Sequence, residues 1–515
     1  MKKKALKFTV SIPPLKKGAR GIFDGFSQVI MAVWGTVFQT GFNLKANYQV
    51  AIPLTSLTKR KKDYKFSVTA SGRERDRLAA VSCCRGRRLL RSFFTHSDVY
   101  FLFLLALISV CSKVLVAQPQ PGDIFREYHW LPTQVKESGK FLRVGGKLDY
   151  TTNNDHFPAE AHQDGFIPLL KAIDLKDAVK AEVVVEKVLS HEGTRGLAIQ
   201  VNKSNWLLLP EADSIPTPAY DYMHHFNPTV EMPLDYLKEG KENAFRFKVD
   251  STQNWGWPQN LLYGVTFRIY YSHSSPFASE TSPVQATLVD NDFRFSLDVE
   301  NRGEIKRVDY VGYYEDADWE GNGQYRQWHA HLHRGQLVCH IGSSSSAPFT
   351  ADWDTNWLPD QPEPMKVYAR ISTKDDIIYA TSALESLELP PRDFSVKLYK
   401  PQDVPAQWVT RSEEFSETIS ISEDIQQAMD YQLIWISWSP CYSNGILFNE
   451  HLVYSREDPC YDAMLHIITQ EDTHVLQAGK NTITTLKTPL FQGQMVHGME
   501  VQWPGIVVKV RYSSL

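Results

Sequence analysis

The sequence predicts an all-β protein assembled from several sandwich domains, on three observations. From Gln118 onward, short runs alternate apolar and polar residues: Ala181–Val188, Phe245–Val249, Val265–Tyr271, Met365–Ile371 and Ile506–Tyr512. These runs are rich in β-branched and aromatic residues, which suit a pleated, half-buried surface, and Gly, Pro, Asn and Asp punctuate them at short intervals. Helical periodicity is scarce, with only Asp174–Lys180 and Asp424–Met429 offering a turn or two. With 515 residues, 43% of them hydrophobic and 22% charged, the chain can hold roughly two to four globular domains. That composition excludes a mainly disordered or fibrous protein.

The net charge of −4 conceals a split along the chain. Residues 1–97 carry 20 Lys and Arg against 4 Asp and Glu, whereas residues 118–515 carry 34 against 54. The apolar run Val99–Cys111 would span about 20 Å as a helix, too short for a hydrocarbon core of roughly 30 Å. Behind Arg85, Arg87, Arg88 and Arg91, it reads as the core of a signal peptide over 85–117, cleaved after the small Ala117. Acylation at Cys111 is the alternative, against which Val110 is not small. Residues 1–84 then form a basic leader outside the mature protein; a nucleic-acid-binding arm is its functional alternative. The mature chain is expected to be secreted, periplasmic or on the cell surface, with no transmembrane segment. Its acidic balance disfavours a nucleic-acid partner.

An internal repeat organises the rest. In the first copy Asp174-Leu175 and Ala178 lead into an apolar run, followed by Gly196–Asn202, Leu237–Lys241, Trp257-Pro258 and a strand ending at Tyr271. In the second, Asp424-Ile425 and Ala428 are followed by Gly445–Asn449, Leu476–Lys480, Trp503-Pro504 and a strand ending at Tyr512. The two Leu-x-x-Gly-Lys turns are expected to occupy equivalent places. Between the copies, 283–390 reads as an Ig-like sandwich, with strands around Phe293–Val299, Lys306–Tyr313, Gln336–Ile341 and Met365–Ile371. The order of elements over 140–275 and 395–515 resembles the galactose-binding-domain-like jelly roll found beside secreted glycosidases and polysaccharide lyases. The resemblance implies two jelly-roll β-sandwiches, over 118–280 and 395–515, separated by an Ig-like β-sandwich. It also implies a polysaccharide or glycan as partner, and it carries no catalytic residue across.

No phosphate loop, dinucleotide fingerprint, HExxH, paired CxxC or GxSxG elbow is present. Cys441 and Cys460 lie within one predicted domain and are expected to form a disulfide in an exported protein; Cys339, in an apolar run, is expected in a core. Asp316, Asp318, Glu320 and Asn322 place oxygens at alternate positions with Gly321 to turn, like the front of a calcium loop, although Gln327 stands where a bidentate Glu belongs. His329, His331 and His333 could put imidazoles on one strand face. Two of them could chelate a metal, but a solvent-facing polar side opposite Trp328, Ala330 and Leu332 is the reading preferred here. Tyr222, His224, His225 and Trp255 have no counterpart in the second copy. They fall where the first copy is longer or carries extra indoles, so they are the expected glycan-binding residues, converging on one concave surface. The rival to a binding protein is a hydrolase or lyase using Asp316 with Asp318, or Tyr222 with His224. A structural cell-surface protein without a small ligand is the third reading.

Overall fold

The computed structural model describes residues 7–12, 64–69, 119–132, 141–144, 169–170, 172–189, 195–249, 260–272, 283–289, 292–455, 460, 462–490 and 498–513. The signal-peptide run, Trp255 and Trp257-Pro258 lie outside them. The chain divides into two compact units, Met1–Cys111 and Ser112–Leu515. In the first, Lys7–Ile12 pairs antiparallel with Tyr64–Thr69. Among the described residues, no helix is long and apolar enough to cross a membrane.

The second unit is all β. Its first module centres on the antiparallel pair Ala178–Leu189 and Asn260–Tyr271, flanked by Thr229–Met232 and Ile124–Trp130. A second sheet, Leu169–Leu170, Asn243–Lys248, Ala198–Val201 and Leu207–Leu208, packs across it. Successive strand residues point to opposite faces, so Val183, Val185, Val265, Phe267 and Ile269 meet Ile199, Val201 and Phe245 in one core. Asp174–Lys180 is not helical. Asp174 accepts the Lys176 amide through its side chain in a short turn, and the strand begins at Ala178.

The repeat is structural. Phe394–Tyr399, Val507–Ser513, Ala428–Trp438 and Ala463–Gln470 form a sheet in the same order as the first module's main sheet, and Phe415–Ile421, Gly479–Thr485, Ile446–Phe448 and His451–Tyr454 match its second. The Leu-x-x-Gly-Lys turns coincide in detail. Gly240 and Gly479 both have positive φ, +62° and +84°. Asn202 donates to Asn243 Oδ1 and the Tyr236 carbonyl; Asn449 donates to Asn481 Oδ1 and the Val475 carbonyl. Asn243 and Asn481 are wholly buried, and each side chain closes its turn by bonding back to the backbone of residues before it. Sequence-distant loops are thus tied by one amide. Asn481→Ala would strand several of these partners and is expected to cost about 2–3 kcal/mol. Urea denaturation measures this; a loss below about 0.5 kcal/mol would show that the amide does not hold the turn.

The middle module has its own core, with Phe295, Tyr310, Trp353, Val367 and Ile371 at its centre. Its main strands Ile305–Glu315 and Met365–Thr373 nevertheless belong to the first module's large sheet. Ile378 pairs with Phe125 and Tyr379 with Ile124, so the sheet runs on from one module to the next. A hairpin, Ala330–His333 with Gln336–Cys339, turns at Arg334 and Gly335, both with positive φ. Side chains from this hairpin join Phe125, Tyr270 and Tyr368 in a further buried cluster on the face of the large sheet away from the two cores. Cys441 and Cys460 form the expected disulfide, with Cα atoms 5.2 Å apart. Cys339 is free and half-buried, its thiol directed at Gly342 and Ser343.

Candidate functional site

The acidic stretch after Ile305–Glu315 folds inward rather than projecting into solvent. Asp316 pairs with Lys509 of the third module and accepts the Ala317 amide and the Trp319 indole N–H. Asp318 accepts the amides of Asn322 and Gly323, which closes the loop as a local turn. The Asn322 side chain donates to Gln327, and Gln327 Nε2 donates to Glu320 Oε2 at 3.0 Å. The four oxygen-bearing residues of the calcium-like pattern are all buried. They serve different partners within the loop and beyond it.

Gly321 makes the next layer possible. Its φ is +66°, and a Cβ there would stand 1.6 Å from the His225 carbonyl oxygen. Only glycine lets this loop approach the first module so closely. His225 lies on His224–Phe226, which pairs with the end of Ala178–Leu189. Neighbouring strand residues diverge. His224 turns to Glu211, 3.4 Å away, while the His225 ring lies 6.1 Å from that of His331.

His331, half-buried, joins a group with the buried His329 and Glu320, which corrects the expectation of a solvent-facing histidine side. His329 is wholly buried, with Nδ1 3.0 Å from Glu320 Oε2 and Nε2 3.1 Å from the Tyr314 carbonyl. The His331 ring is 5.9 Å from that of His340, and Nε2 of His340 is 3.6 Å from Glu320 Oε1. Trp319 stacks on His340. His333 points elsewhere, to Glu186 at 3.2 Å. The three histidines do not share one face because His329 falls between two strands with different partners.

Burial and neighbouring charges set the protonation of this group. Burial, reinforced by the Glu320 charge, pushes the Asp318 carboxyl up to about 7. Glu320 is held well below the carboxylate range: burial opposes ionisation, but His329 beside it prevails. Burial and nearby histidines bring His225 down to about 3 and His331 to about 4, so both carry free lone pairs at neutral pH.

A second feature lies on the other side of the same strand. Tyr222 keeps a partly exposed ring that meets Trp503 edge-on at 5.4 Å, and the Trp503 amide donates to the Met223 carbonyl. Tyr220 sits beneath the Arg195 guanidinium, 4.9 Å away. Close by, Glu211, Asp213, Asn322 and Gln324 line a small cavity together with Ala212 and Phe226. Of the expected glycan contacts, Tyr222 therefore reaches the surface, His224 and His225 are enclosed on opposite sides of a strand, and Trp255 lies outside the described residues. His340 was not anticipated. The Arg334-Gly335 hairpin turn held its signal, since that turn sets His329 across from His340.

No family model matches the chain, and no curated protein does. Among solved structures, the chain is similar to a β-porphyranase of glycoside hydrolase family 86 from Bacteroides plebeius, at 11% identity and a TM-score of 0.20, over 45% of this chain and 36% of that one. It is also similar to a β-D-glucuronidase of Dictyoglomus thermophilum, at 11% identity and 0.17, over 55% and 45%. A third is the glycoside hydrolase domain of Endo-D from Streptococcus pneumoniae, at 12% and 0.18, over 51% and 36%. The chain spans less than half the length of each.

Proposed function

We propose that this is an exported glycan-binding protein whose site is the aromatic edge formed by Tyr222, Trp503 and Tyr220 with Arg195. The observation that carries the reading is the partly exposed Tyr222 ring, held edge-on by Trp503. Aromatic faces take the apolar side of a pyranose, and carboxylates, amides and guanidinium groups take its hydroxyls. Binding rather than turnover is favoured because Asp318, only 6% exposed, spends both oxygens on the amides of its own loop. The jelly-roll resemblance of the two repeated modules fits the same reading.

Tyr222→Ala is expected to weaken glycan binding about tenfold to a hundredfold, the scale of losing roughly 1–3 kcal/mol from one aromatic contact. Titration calorimetry with a glycan identified on an array checks this. Unchanged affinity in a folded Tyr222→Ala protein would move the site elsewhere. For export, the supports are the Val99–Cys111 run and the Cys441–Cys460 disulfide. N-terminal sequencing of the exported protein should begin near Gln118; residues 1–90 on the mature chain would contradict it.

A further inference from the structure

We propose that Glu320, His331 and His340, with His225 as fourth donor, form a tetrahedral site for a divalent transition metal of the zinc class. One donor atom from each of Glu320, His331 and His340 lies within 4.8 Å of the others. Metal–ligand bonds of about 2.0–2.1 Å place tetrahedral donors roughly 3.4 Å apart, and Glu320 Oε1 already stands 3.6 Å from His340 Nε2. His225 stands outside that trio, its ring 6.1 Å from that of His331.

A second observation points to the same spot. Glu320 Oε1, His331 Nδ1, His340 Nε2 and both ring nitrogens of His225 are buried without a hydrogen-bond partner. Glu320 and His225 are each only 4% exposed. Burying so many unsatisfied polar atoms together is costly, and a shared cation is the simplest way to satisfy them. The outer partners of a metal site are also in place. His329 and Gln327 hold Glu320 Oε2, and Trp319 stacks on the His340 ring. Three imidazoles and one carboxylate select zinc-class ions over calcium, which takes six to eight oxygens. Such a site would join the acidic loop, the 330–339 hairpin with the adjoining His340, and the first module. It is independent of the glycan site, and its test needs no glycan.

The test titrates the full chain, stripped with a chelator, with Co²⁺ and then Zn²⁺, and measures metal content after dialysis. The expected result is one metal per chain, with the visible absorption of tetrahedral Co²⁺ that Zn²⁺ abolishes and Ca²⁺ does not. H331A and H340A should each lose more than about a hundredfold in affinity, beyond the 10–100-fold of an outer partner. C339S should bind as wild type, because that thiol faces Gly342 and Ser343. Absence of stoichiometric metal on the folded wild type would overturn the proposal, whatever the variants do. So would wild-type affinity in folded H331A and H340A, or displacement by equimolar Ca²⁺, which would assign the ion to the oxygens of Asp316, Asp318, Glu320 and Asn322.

Discussion

Gly321→Ala is expected to destabilise the protein by about 4 kcal/mol or more, the size reserved for a small set of severe lesions. The added methyl would meet the His225 carbonyl oxygen at 1.6 Å and its carbon at 2.8 Å, both backbone atoms that cannot swing aside as a side chain does. Relief requires the acidic loop to leave the His224–Phe226 strand, which would also dismantle the Glu320–histidine cluster. Gly479 supplies the control. It too has positive φ, yet nothing lies within 4 Å of its missing Cβ, so Gly479→Ala should cost only about 1 kcal/mol. Denaturant unfolding of both variants measures the contrast. Equal costs would mean that the close approach to His225 contributes nothing.

Arg268→Met is expected to cost about 3–5 kcal/mol, the usual penalty for removing one partner from a buried ionic network. Arg268 donates twice to Glu127 Oε1 at 2.9 and 2.8 Å and lies 3.4 Å from Glu182, while Arg370 holds the other Glu127 oxygen at 2.9 Å. Both guanidinium groups flank the Phe125 ring. Phe125 sits where the first module's strand pairs with the middle module's, so the network fastens that seam. Burial disfavours the Glu127 carboxylate, but Arg370 and Arg268 outweigh it and bring the group to about 2, below its ordinary 4.5. A folded value below the unfolded one stabilises the fold at higher pH. The contribution, about 3 kcal/mol, is complete above about pH 4.5 and disappears as pH falls toward 2. In Arg268→Met this acid-dependent fraction should shrink. A variant as stable as wild type at neutral pH, with an unchanged acid profile, would show the network to be dispensable.

The repeat was legible because it is written in local patterns. Asn202 and Asn449 end their strands alike, and Gly240 and Gly479 need the same left-handed turn. A short pattern therefore sufficed to place both. The buried outer face of the large sheet was not legible. Glu182 and Arg268 alternate with core valines and aromatics as solvent-facing residues do, yet both are buried there. The histidine cluster was half-legible: the 329–333 run stood out, but its meaning depends on Glu320, His225 and His340, which only tertiary folding brings together. Alternation alone suggested a wet face because it carries no record of what packs on top. The paired sheets of the first two modules hid for a similar reason, since Ile124-Phe125 and Ile378-Tyr379 are ordinary strand residues far apart in the chain.

The function proposed above is glycan binding rather than glycan cleavage. One measurement tests it most directly: the wild-type chain on a polysaccharide and glycan array, with reducing-end release assayed on the same polymers. Saturable binding to at least one glycan, without release, is the predicted result. Binding to none would contradict the account and favour a purely structural protein. Release that grows with protein concentration and vanishes in a folded Asp318→Asn variant would contradict it equally, and would identify the Asp318 carboxyl, pushed up to about 7 beside the ionised Glu320, as the acid of a hydrolase.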